Sequence, residues 1–90
     1  MKRNKEWLVS ALKEPEAMPG VPLVEVVGQR RVLIEKHCGV KAYSSVEICA
    51  KVKYGLVCVC GNSLQLAKMT KEQLVIIGQI EQIKLIGGKC

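Results

Sequence analysis

Residues 46–53, VEICAKVK, alternate strictly: Val46, Ile48, Ala50 and Val52 fall on one side of an extended chain, and Glu47, Cys49, Lys51 and Lys53 fall on the other. Side chains with a period of two belong to a strand, so the run predicts a half-buried antiparallel strand with an aliphatic inner face and a largely charged outer one. From about residue 23 onward, Val- and Ile-rich runs alternate with turn formers at Gly28, His37-Cys38-Gly39, Ser44-Ser45, Tyr54-Gly55, Gly61-Asn62 and Gly78. Short β-branched runs punctuated in this way predict an all-β fold: a small antiparallel meander forming a sandwich or roll.

The neighbouring runs fit the same scheme. Val32 and Ile34 alternate with Arg31 and Glu35, although Leu33 breaks the polar side. Residues 56–60 are apolar on both faces and predict a central strand, while Leu64 and Leu66 alternate with Ser63 and Gln65. The C-terminal twenty residues admit two readings. Thr70 with Gln73 resembles a capping box, and Ile76, Ile80 and Ile83 sit at helical spacing, which supports a helix over residues 71–86. Gly78 in its middle and the Ile/Val density weigh against that helix. The preferred expectation is two strands, residues 73–77 and 79–86, around Gly78. Because Ile80 and Ile83 have opposite parity, the second strand is expected to bulge near Gln82.

Ahead of these runs, Trp7, Leu8, Ala11 and Leu12 recur at near-helical spacing beside Lys2, Arg3 and Lys5, predicting a short basic amphipathic helix over residues 1–13. Residues 14–22 hold all three prolines and predict a linker. Residues 23–88 then form a single all-β domain. The apolar run WLVSAL is interrupted by Lys13 and Glu14 too soon for a signal peptide or a membrane span, so a cytoplasmic location is expected. A helix that docks on the domain or a basic anchor for a membrane or partner are the two roles open to residues 1–13.

With no Phe, one Trp and two Tyr, the core must be built from Val, Ile, Leu and Cys. The net charge of +6 sits mainly in the domain, where residues 23–90 carry ten Lys/Arg against five Glu. Lys and Glu are interleaved, which favours a solvated mixed face, and the surplus leaves a small basic binding module for nucleic acid or an anionic membrane surface as the alternative function. Nucleic acid is the disfavoured partner, because Tyr43 and Tyr54 lie in separate segments and provide no stacking platform.

The residues that carry chemistry are sparse. His37 and Cys38 are adjacent, yet neighbours on an extended chain point to opposite faces and are badly placed for proton transfer. There is no Asp, and Glu25, Glu35, Glu47, Glu72 and Glu81 are scattered. Neither GxxxxGK nor GxGxxG occurs. The five cysteines, at 38, 49, 58, 60 and 90, contain no CxxC and no disulfide framework of a secreted domain, so reduced thiols without a bound metal are expected. A non-enzymatic protein without a cofactor is the resulting expectation.

Several residues together suggest a family. The order is a proline-led start into Val26-Val27-Gly28, then Ile34-Glu35 with His37 and Gly39, then Tyr43, then the unit from Gly61 to Leu64, then Gly78 followed by Ile80 and Ile83. In this order the chain resembles the YabP/YqfC family of sporulation proteins from endospore-forming bacteria, closer to the YqfC branch, over about residues 21–86. The resemblance implies an all-β domain acting in endospore formation through protein–protein contacts. The mother cell is the implied compartment, and the forespore surface a candidate site within it. The implied partner is another sporulation protein, membrane or coat associated, or a second copy in a homo-oligomer. No catalytic residue is implied. Glu35, His37, Gly39 and Tyr43 form the candidate interaction corner, and here the chain departs from the family pattern, with Lys36 before the histidine and Cys38 after it.

Overall fold

The computed structural model describes residues 20–88, and the helix expected over residues 1–13 lies outside them, as does most of the linker. Among the described residues are six strands: β1 (Leu23–Val27), β2 (Arg31–Glu35), β3 (His37–Tyr43), β4 (Glu47–Val52), β5 (Gly55–Met69) and β6 (Gln73–Gly87). They form one antiparallel sheet in the order β1-β2-β6-β5-β4-β3. Strands β3 to β6 follow one another as a meander. The last strand then returns beside β2, so the topology departs from the simple meander expected from the sequence. The helix weighed as the alternative for residues 71–86 does not form, since Gln73–Gly87 are strand β6.

Alternation builds the core. Ile48, Ala50 and Val52 of β4 point inward, as do Val57 and Val59 of β5, Val32 and Ile34 of β2, and Leu74, Ile76 and Ile80 of β6. Residues of β2 and β4 share this one buried cluster although β6 and β5 lie between them in the sheet. The sheet is therefore bent over its own inner face. Each fully buried Val, Ile or Leu contributes about 1.5–3 kcal/mol relative to exposure, and no polar or charged residue is buried among those described. Val46, expected inside, precedes β4 and is exposed, because the strand begins one residue later.

The bend runs through the two longest strands. Gly61-Asn62 and Gly78, expected as breaks, lie within continuous strands of fifteen residues. Their role is close approach: a Cβ on Gly61 would meet the Gln79 carbonyl, and one on Gly78 would lie 2.6 Å from the Ser63 carbonyl oxygen. Gly78 also has a φ of +136°, which side chains rarely adopt. The register between β5 and β6 shifts three times across this region. At the first shift Cys60 pairs with Gln82 and Gly61 with Ile80, leaving Glu81 as the extra residue. That is the bulge expected near Gln82, and it lets Ile80 and Ile83 both face the core.

Bulging frees backbone groups, and the neighbouring turns take them up. Gly61 N–H donates to the Val46 carbonyl (3.0 Å) and Leu64 N–H to Ser45 (2.8 Å), from the β3–β4 turn. On the other side, Gly78 N–H donates to Arg30 (3.2 Å) and Ile80 N–H to Gln29 (2.8 Å), from the β1–β2 turn. Two local hairpins thus hold the bend of the third.

Candidate functional site

His37, Cys38 and Gly39 do not form the turn that their sequence suggests, since β3 begins at His37. The connection from β2 is Lys36 alone, with a φ of +66°. This single residue carries the chain from near one edge of the sheet to the other edge, which is feasible only because the bent sheet brings the end of β2 close to the start of β3.

Three contacts clamp that corner to the β5–β6 turn. Lys36 N–H donates to the Glu72 carbonyl at 2.6 Å. The Gln73 side-chain amide donates to Glu35 Oε2 at 2.9 Å. His37 Nε2 lies 2.9 Å from the Thr70 carbonyl oxygen, while His37 Nδ1 accepts from the Gly39 N–H at 2.9 Å. A carbonyl only accepts, and Nδ1 is already an acceptor, so the hydrogen bonds assign the proton to Nε2. Both ring nitrogens are occupied in holding backbone. Gly39 serves the same purpose, with a φ of +120° where β3 bulges between His37 and Val40, although space around its Cα is open.

Of the four candidate residues, Glu35, His37 and Gly39 are brought together. Tyr43 is not: it ends β3, opposite Ile48, and is exposed. Six residues of strand place it about 20 Å from His37. Cys38 is exposed and unpaired with any cysteine. Beside the corner, Gly20, Lys36, His37, Cys38, Lys53, Lys71 and Glu72 line an open groove in which three lysines gather.

A second cluster was not legible in the cysteine spacing. On the outer face of the β4–β5 hairpin, Cys49 stands directly opposite Cys58, and Glu47 directly opposite Cys60. Cys49 and Cys58 are joined in a disulfide, their Cα atoms 4.0 Å apart, which corrects the expectation of reduced thiols for this pair. Spacing conceals the pairing because the two lie nine positions apart in sequence, and only the tight turn at Lys53-Tyr54 folds them face to face. Cys60 stays free, its Sγ 3.7 Å from Glu47 Oε2. Burial pushes its thiol up from the ordinary value of 9.0, Lys84 opposes that shift, and Glu47 adds to it through charge and hydrogen bonding. Lys84 Nζ lies 3.8 Å from Glu47 Oε2. Glu47, Cys49 and Cys58 have ligand atoms within 4.8 Å of one another, a spacing compatible with a metal ion.

Comparison with known proteins decides the family. The YabP family model matches residues 21–89, a range that spans all six strands. The chain belongs to the YabP family. It is 27% identical over 85 residues to YqfC of Bacillus subtilis (strain 168), an uncharacterized protein, with 93% of this chain and 91% of that one covered. No solved structure matches the chain. The His37 clamp and the outer-face cluster both fall inside the residues that the YabP family model matches.

Proposed function

We propose that this YabP-family chain acts in endospore formation without catalysis, through contacts with another protein in the mother cell, at the forespore surface. The family match over residues 21–89 carries the reading. Two features of the sheet support a contact role. Among the described residues strand β1 pairs only with β2, and its Leu23, Val26 and Val27 are exposed, so its outer edge offers backbone groups and apolar side chains to an added strand. The clamp at Glu35 and His37, with Lys36 and Lys71 beside it, presents a rigid basic corner suited to an acidic partner surface.

Deletion of the gene in its native host, combined with a fluorescent fusion, tests the proposal. The expected result is defective spores and a fluorescent ring around the forespore. Normal spore yield with diffuse fluorescence in vegetative cells overturns it. Crosslinking in sporulating cells is expected to recover a protein partner or a second copy, and recovery is expected to fall in a Lys36→Glu/Lys71→Glu variant. Tight binding of the purified chain to DNA or anionic vesicles at physiological salt, with no protein recovered, would favour the basic-module alternative instead.

A further inference from the structure

We propose that Glu47, Cys49, Cys58 and Cys60 form, in the reduced protein, a site for one soft divalent cation of the zinc class. The cysteine spacing by itself predicts no metal site, because it contains no CxxC, but strand register assembles the donors in another way. Cys49 and Cys58 are one cross-strand pair, Glu47 and Cys60 the next pair on the same face, so the four side chains occupy the corners of a rectangle on the face of two hydrogen-bonded strands that points away from the aliphatic core.

The distances among Glu47, Cys49 and Cys58 suit a tetrahedral ion, and Cys60, outside that mutually close set, joins it through Glu47. Zinc bonds of about 2.3 Å to sulfur and about 2.0–2.2 Å to carboxylate oxygen place neighbouring donor atoms about 3.5–3.8 Å apart. Cys60 Sγ and Glu47 Oε2 already stand at 3.7 Å. The ligand atoms of Glu47, Cys49 and Cys58 lie within 4.8 Å of one another. On reduction the two bonded sulfurs need only separate to the same spacing, which small side-chain rotations on a fixed hairpin accomplish. Three thiolates with one carboxylate favour zinc-like ions over magnesium or calcium, which take oxygen donors.

The surroundings complete the case. Cys49 and Cys58 are only 7% and 3% exposed, so an ion held between them would be shielded from bulk water. Three thiolates and a carboxylate around a divalent ion carry two excess negative charges, and Lys84, 3.8 Å from Glu47 Oε2, offsets one of them and holds the carboxylate from outside. The site and the disulfide exclude one another, since each uses the same two sulfurs.

The test uses the full chain treated with a phosphine under nitrogen. The phosphine delivers two electrons to the Cys49–Cys58 bond, two protons from water give two thiols, and the phosphine leaves as its oxide. Titration with Co2+ is then expected to produce thiolate-to-cobalt charge-transfer and tetrahedral visible bands that saturate at one ion per chain and are displaced by Zn2+. Glu47→Gln should keep the charge-transfer bands with at least a tenfold weaker affinity, and Cys60→Ser should reduce their intensity. Cys38→Ser and Cys90→Ser should change nothing. The oxidised wild-type chain, which retains its fold, should bind no ion, a control that does not depend on whether Cys49→Ser or Cys58→Ser folds. Absence of the charge-transfer bands in the reduced chain, or equal binding by the oxidised chain, overturns the proposal.

Discussion

His37 is the residue whose meaning changes most between one dimension and three. Beside Cys38 it invites a catalytic reading, yet its two ring nitrogens are spent on the Thr70 carbonyl and the Gly39 N–H. Replacing it by Ala removes both bonds, and the expected loss is about 1–3 kcal/mol, measured by urea unfolding. A loss indistinguishable from zero would mean that the clamp does not hold the corner. Among the thiols, Cys38 is exposed whereas burial and Glu47 hold Cys60 above its ordinary value. A raised value lowers the thiolate fraction, the thiolate is the nucleophile, and Cys60 is less accessible than Cys38, so iodoacetamide is expected to label Cys38 well before Cys60. Peptide mapping by mass spectrometry gives the order.

At the scale of elements, the β5–β6 hairpin organises everything else. Its two strands cross so closely at the bend that Gly61 has no room for a Cβ, whereas Gly28, in the β1–β2 turn, has open space and needs glycine only for its φ of +57°. Gly28→Ala should therefore cost about 1–2 kcal/mol, the ordinary penalty of a left-handed residue. Gly61→Ala should cost more, since backbone must move apart and the bonds to Val46 and Gln79 neighbours shift with it. Thermal melts of the two variants compare them directly, and an equal loss would refute the close-approach account. The disulfide closes a separation of only nine residues, so its reduction should lower stability by about 2–3 kcal/mol without unfolding the hairpin that it bridges.

For the whole molecule, the decisive contact is the pairing of β2 with β6, strands separated by some forty residues of chain. Loop closure on that scale must precede the contacts that reward it, so folding should be slow for a chain of this size, in the millisecond-to-second range. A chain truncated after Met69 loses the strand that lies between β2 and β5, and with it Leu74, Ile76 and Ile80 of the core. It is expected to show no native β signal by far-UV circular dichroism, and a native spectrum would contradict the role given to β6.

The inward set Ile48, Ala50 and Val52 and the bulge before Gln82 were legible in the sequence, because they follow from the period of two and from the opposite parity of Ile80 and Ile83, and the turn expected at Tyr54-Gly55 falls one residue earlier, at Lys53-Tyr54. The all-β class follows from the same local rule. Strand order, the continuity of β5 and β6 through Gly61 and Gly78, the one-residue corner at Lys36 and the cross-strand cluster of Glu47, Cys49, Cys58 and Cys60 were not. A glycine marks a turn and a close approach with the same letter, and spacing along a chain is silent about spacing across a hairpin. Periodicity fixes which side of a strand a residue occupies, whereas its partner across the sheet depends on register, which packing of the distant strands over one core decides.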